Sequence, residues 1–173
     1  RLIGEAYFEV VHDVDRPFFV DFEFGTIEVK GTRFNLSCYP EDEQVSTVLV
    51  EGNIDWNLPG STTLIVEPGE QVVLNKHSLE IARNSVDPEL YYGWIENRFV
   101  FNNDKLSEIV KELERWYRIK FIIRDEAIEN QRFSGIFPKT VSVKSFLEAL
   151  AITGMKYRII EGPGAEEIIE LYM

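Results

Sequence analysis

The second half of the chain repeats one pattern, and that repeat limits its fold more than any other feature. Arg98–Phe101 alternates as a strand does, and Leu106, Ile109, Val110, Leu113, Trp116 and Tyr117 then recur at helical spacing, with Asn103 as the expected cap. Ile119–Ile123 reads as a strand. The sequence then begins again, with Arg132–Phe137 as a strand and Val143, Phe146, Leu147 and Leu150 at helical spacing behind Ser142 as cap. Tyr157–Ile160 and Ile168–Tyr172 are further strands. The two helix starts lie about 37 residues apart. Two right-handed β-α-β units sharing one sheet are the expected arrangement, a duplicated split-βαβ domain of the α+β class.

The first half has no such helices. From Gly4 to about residue 83 it reads as short strands punctuated by turns: Gly31-Thr32, Glu51-Gly52-Asn53, Leu58-Pro59-Gly60 and Glu67-Pro68-Gly69. In Gly4–Val11, Ala6, Phe8 and Val10 share one face and Glu5, Tyr7 and Glu9 the other. Glu51-Gly52-Asn53 predicts a hairpin from Val45–Glu51 into Ile54–Trp56. Turn signals at this spacing suggest an antiparallel β sandwich, a jelly-roll-like domain or a stacked-β domain. Residues 86–97 differ, with Asp87-Pro88 at a helix start and Tyr91, Trp94 and Ile95 on one helical face. The expected organisation is a β domain over 1–85, a short helical linker over 86–97, and the α+β domain over 98–173.

Charge marks the same division. The chain of 173 residues has a formal net charge of −12. Residues 1–97 hold 6 Lys/Arg against 18 Asp/Glu, whereas residues 98–173 hold 12 of each. A step of this kind is a domain-boundary signal. The acidic half argues against nucleic acid as a partner, which needs a basic footprint. The 45% hydrophobic and 13% aromatic content supports a packed core. No apolar run is long enough for a membrane helix.

The sequence offers little to catalysis or metal binding. Cys38 is the single cysteine, which excludes an intrachain disulfide and a CxxC zinc site; it is expected as a buried small apolar residue. His12 and His77 are the two histidines, and neither sits in a metal-binding spacing. Glu5 and Glu9 share a strand face but read as an ordinary solvated pair, and Glu41-Asp42-Glu43 lacks the pattern of a calcium loop. No phosphate-binding glycine loop or nucleophile elbow is present. Accordingly, no catalytic, metal or cofactor-binding residue is assigned, and the chain is expected not to be an enzyme.

One surface is more suggestive. With Ile119, Phe121 and Ile123 toward the helices, Arg118, Lys120 and Arg124 turn the other way. With Tyr157 and Ile159 inward, Lys156 and Arg158 turn out. Arg98 and Arg132 join by the same alternation. The helix-free face of the sheet is therefore expected to be basic. It could be an ordinary solvated face, a surface for the acidic first domain, or a partner-recognition surface.

Several segments, taken in order, resemble a known family. Gly4-Glu5-Ala6-Tyr7-Phe8-Glu9-Val10, Arg16-Pro17-Phe18, Gly31-Thr32-Arg33-Phe34-Asn35, Val48-Leu49-Val50-Glu51-Gly52 and Pro68-Gly69-Glu70 match the FecR-type (ferric-citrate regulator) anti-sigma family. Trp94–Phe101, Leu113–Tyr117 and Arg132–Phe137 resemble the C-terminal domain of the branch found beside nutrient transporters in gut anaerobes. The resemblance implies the periplasmic part of a single-pass inner-membrane protein. Its partner would be the N-terminal signalling domain of an outer-membrane TonB-dependent transporter. An extracytoplasmic-function sigma factor would bind only through a cytoplasmic segment outside this chain. The second domain would be like the short N-terminal domain of secretins and of these transporters. The β domain is expected to lack its first strands, and an edge strand so exposed could pair with a second copy to give a dimer. A carbohydrate-binding β module with an appended domain is the alternative; it would need exposed aromatics on the β domain.

Overall fold

The computed structural model describes residues 1–60, 63–162 and 167–173. The chain forms mostly antiparallel sheets with few helices, and divides into two compact units, Arg1–Ile95 and Glu96–Met173. Among the described residues no helix is long and apolar enough to cross a membrane.

The first unit is two antiparallel sheets around one core. Five strands pair in the order β1 (Gly4–Glu9), β4 (Arg33–Cys38), β5 (Gln44–Glu51), β8 (Glu70–Asn75), β9 (Ile81–Ser85). Four pair in the order β2 (Phe18–Phe22), β3 (Gly25–Val29), β6 (Ile54–Asn57), β7 (Thr63–Val66). Order rises along the chain in both sheets, so the chain advances by hairpins placed alternately in one sheet and the other. Alternation supplies the core: Phe34 and Leu36 from β4 and Val72 and Leu74 from β8 meet Ile27, Ile54 and Trp56 from the opposite sheet, all buried. Cys38 is buried among them.

The hairpin expected at Glu51-Gly52-Asn53 does not form. β5 and β6 belong to different sheets, and Gly52 is where the chain changes layer. The reason is a close crossing. Gly31, which leads from β3 into β4, changes layer beside it, and Thr32 Oγ1 donates to the Asn53 carbonyl at 2.8 Å. Gly52 has φ +92°, and a Cβ there would lie 2.5 Å from the Gly31 carbonyl oxygen. Only glycine fits that backbone and that approach.

The segment after β9 packs within the first unit. A short helix α1 (Glu89–Tyr92) and a 3₁₀ turn (Gly93–Glu96) follow Pro88. The Tyr92 ring meets Tyr7 at 5.2 Å between centroids, and Trp94 Nε1 donates to Asn35 Oδ1 at 3.3 Å. Asn35 Nδ2 in turn donates to Glu5 Oε1 at 2.7 Å. Glu5 and Tyr7, expected on a solvated strand face, are thus partly covered, and Asn35 is buried.

The second unit keeps the expected order of strands and helices but divides them differently. β10 (Arg98–Lys105) and β12 (Arg132–Pro138), the opening strands of the two repeats, pair antiparallel as a two-stranded sheet. β11 (Lys120–Ile123), β14 (Glu167–Tyr172) and β13 (Lys156–Glu161) form a separate three-stranded sheet, with β11 parallel and β13 antiparallel to the central β14. The expectation of two β-α-β units sharing one sheet is therefore corrected. In each repeat the strands flanking helix α2 (Leu106–Tyr117) or α4 (Val143–Ile152) enter different sheets, so each helix buries apolar residues against both. A short helix α3 (Glu126–Glu129) lies between β11 and β12.

The helix faces are close to those read from the spacing. Leu106, Ile109, Val110 and Leu113 of α2 and Phe146, Leu147 and Leu150 of α4 are buried with Phe99, Phe101, Ile169 and Leu171. Trp116 departs from its expected core position. It is 47% exposed, edge-on to Phe99, and donates from Nε1 to the Lys139 carbonyl at 3.3 Å. Ser142 caps α4 as expected, its hydroxyl accepting from Ser145 N at 3.3 Å. Asn103 does not cap α2. The cap is Lys105, whose N–H donates to Glu108 Oε2 at 3.1 Å, and Asn103 takes a left-handed backbone in a bulge of β10.

Candidate functional site

The three-stranded sheet of the second unit has one face packed on the core and one turned away from it. β14 reads Glu-Ile-Ile-Glu-Leu-Tyr, so Ile169 and Leu171 enter the core while Ile168, Glu170 and Tyr172 take the outer face. On β11, Phe121 and Ile123 turn inward, leaving Lys120 and Ile122 outside; Arg124 follows with its N–H donated to the Leu171 carbonyl at 2.9 Å. On β13, Tyr157 turns inward and Lys156, Arg158 and Ile160 lie outside. Ile159, read as an inward residue, lies opposite buried Ile169 but is 46% exposed on this outermost strand of the sheet.

Register places Ile122 and Arg158 on either side of Glu170. Arg158 Nε donates to Glu170 Oε2 at 2.9 Å, and Arg124 Nε donates to Glu170 Oε1 at 3.0 Å. The second edge nitrogen, Nη2, of each arginine reaches the same oxygen as its Nε. The Glu170 side chain is 3% exposed beneath guanidinium groups whose own side chains stay more than half exposed. These charge-assisted hydrogen bonds, Arg124 foremost, hold the Glu170 carboxyl below the ordinary carboxylate range. The bond to Glu170 likewise raises the Arg158 guanidinium.

The seven basic candidates thus fall into three groups. Lys120, Arg124, Lys156 and Arg158 share the outer face of the three-stranded sheet. Arg98 and Arg132 lie on the other sheet, where Arg98 pairs with Glu96 and Arg132 Nη1 donates to the Asn103 carbonyl. Arg118 is not a strand residue. It ends α2 in a left-handed conformation with φ 55°, its N–H donated to the Glu114 carbonyl at 2.9 Å. One continuous basic face required one shared sheet, and the division into two sheets separates its members. Sequence reasoning passed over Glu170, although alternation along β14 sets it outward between Ile169 and Leu171.

Other constellations carry less chemistry. Among the described residues no group of three or more His, Cys, Asp or Glu side chains is arranged to hold a metal ion. A cleft of about 360 Å³ in the first unit is lined by Glu9, His12, Gly31, Arg33 and Glu51. Arg33 Nε donates to Glu51 Oε2 at 2.9 Å there, an ordinary surface pair.

Residues 2–55 match the family model described as FecR protein, and residues 98–165 match the one described as FecR, C-terminal. Two crystal structures of a protein from Parabacteroides distasonis, assigned as an anti-sigma factor, have the same fold. The first gives a TM-score of 0.83 at 27% identity, covering 98% of this chain and 77% of that one. The second gives 0.81 at 25% identity, covering 97% and 77%. No curated protein matches the chain.

Proposed function

Because this chain belongs to the FecR family, matched by its two models in order, we propose that it is the periplasmic signal-receiving region of a transmembrane anti-sigma factor. In this proposal it relays the state of an outer-membrane TonB-dependent transporter to an extracytoplasmic-function sigma factor. The transporter's N-terminal signalling domain docks on the second unit. The sigma factor is reached only through a cytoplasmic segment of the same protein. The work is protein recognition, with no catalytic step and no cofactor. The second unit is a duplicated strand–helix–strand domain of the short kind that secretins and these transporters carry at their N-termini.

The observation that carries the proposal is the pair of family matches at residues 2–55 and 98–165. The outer face of the three-stranded sheet supports it, with four basic side chains around one carboxylate. Charge complementarity on such a face sets association rate and partner choice more than raw affinity. The outermost strand β13 offers a second route, addition of a partner strand to the sheet.

A carbohydrate-binding role draws no comparable support. Phe18 and Phe19 of β2 are exposed. They are consecutive strand residues, so their rings point to opposite faces and cannot form one stacking platform.

The relay is tested in cells with a reporter driven by the sigma factor's promoter. Deleting the transporter's signalling domain and deleting residues 98–173 from the full-length regulator should both abolish the response to transported nutrient. A response that survives either deletion contradicts the relay.

A further inference from the structure

We propose that Glu170 is a positioning residue, which fixes Arg124 and Arg158 as a matched pair of guanidinium forks for carboxylates on an acidic protein partner. The inference rests on the function proposed above and names the chemistry of its docking face. Glu170 sits on the central strand of the sheet, almost without exposure, and gives one carboxylate oxygen to each arginine. Each guanidinium uses the edge made by Nε and Nη2 for that bond. A guanidinium has five N–H donors, so three on each arginine remain directed away from Glu170.

Two unanchored arginines this close would repel each other and sample many rotamers. The carboxylate between them removes both problems. Side chains already held in one geometry lose less entropy on binding, and a planar fork loses less than a flexible ammonium. Lys120 and Lys156 stand at the borders of the same face as point charges suited to steering. Ile122 and Ile160 add half-buried apolar surface beside the arginines. The face thus combines a fixed polar centre, an apolar flank and a charged border, the usual plan of a protein-binding surface.

The occupant is an acidic protein patch and not a nucleic acid. Binding to a phosphate backbone needs many cations along an extended track. This face has four, in a half of the chain that holds as many acidic as basic residues. Four cations give no extended track for a polyanion, while a compact group of carboxylates meets only the local positive face.

Glu170→Gln tests positioning by the sign of its effect. It makes the face more positive and leaves the arginines loosely held. The intact chain and its variants are titrated, with association and dissociation rates, against the purified N-terminal signalling domain of the neighbouring transporter. Positioning predicts that Glu170→Gln binds about tenfold more weakly through faster dissociation, despite the added positive charge. Arg124→Lys with Arg158→Lys keeps the charge and loses the forks, and should weaken binding similarly. Equal or tighter binding by Glu170→Gln overturns the inference and leaves the proposed function standing. Absence of binding by the unaltered chain overturns both. If circular dichroism shows Glu170→Gln unfolded, the double lysine variant decides: unchanged affinity overturns the inference, and weakened affinity supports it.

Discussion

Arg158 and Glu170 face each other directly across the β13–β14 ladder, and Arg158 Nε donates to the carboxylate at 2.9 Å. With Arg124 on the other side, the central strand of an outward sheet face carries a carboxylate shielded from water by two cations. The triad links the central strand to β13 and to the residue that follows β11.

The triad makes stability depend on acid. Glu170 is held below the ordinary carboxylate range by the hydrogen bonds from Arg124 and Arg158. A group with a lowered folded-state value stabilises the protein fully above its unfolded value and loses that contribution as pH falls through the folded one. The melting temperature should therefore exceed that of Glu170→Gln at pH 7. The gap should narrow as pH drops below the ordinary glutamate range. Thermal melts from neutral pH to about pH 3 measure it, and a gap independent of pH would contradict the assignment.

The double layer change at Gly31 and Gly52 depends on the absence of side chains. Gly52→Ala places a Cβ 2.5 Å from the Gly31 carbonyl oxygen at a φ of +92°. The strain and the forced shift should cost about 1–3 kcal/mol, read as a lower denaturant midpoint with unchanged slope. Gly60→Ala is the control. Its φ is also positive, at +68°, but among the described residues no atom lies within 4 Å of the added Cβ, so the loss should be clearly smaller.

The segment carrying α1 meets the five-stranded sheet through the Trp94–Asn35 hydrogen bond and the Tyr7–Tyr92 ring contact, with Gly93 buried in its 3₁₀ turn. Trp94→Phe removes the hydrogen bond, worth about 1 kcal/mol. Amide hydrogen exchange should quicken over residues 86–95 and stay unchanged in β4 and β5. Uniform acceleration through the first unit would show that the segment opens only with the sheets beneath it.

The parts of this fold that could be read from sequence are those written in local period. Leu106, Ile109, Val110 and Leu113 announce their helix by spacing, and Ser142 announces its cap. Strand pairing is a long-range choice and is not written locally. Nothing in Arg98–Phe101 says that it pairs with Arg132–Pro138 while Lys120–Ile123 leaves for another sheet. The basic face depended on that choice. Four of its members gather on one sheet, Arg98 and Arg132 lie on the other, and Arg118 is drawn out of the strand pattern by a left-handed helix end. Asn103 looked like a cap because its side chain suits one. The bulge in β10 takes it elsewhere and leaves the role to Lys105 with Glu108. Asn35 and Trp94 meet across 59 residues of sequence, a distance no periodicity reports.

We propose above that this chain receives a transporter's signalling domain on its second unit. Isothermal titration of the intact chain with that purified domain tests it most directly, with Lys120→Glu plus Lys156→Glu run alongside, since both residues border the face and leave the Glu170 triad intact. The expected result is saturable binding by the unaltered chain that weakens severalfold in the double variant. No heat of binding at concentrations near 100 µM, roughly the limit for a transient partner, or affinity unchanged by the double reversal, would contradict it.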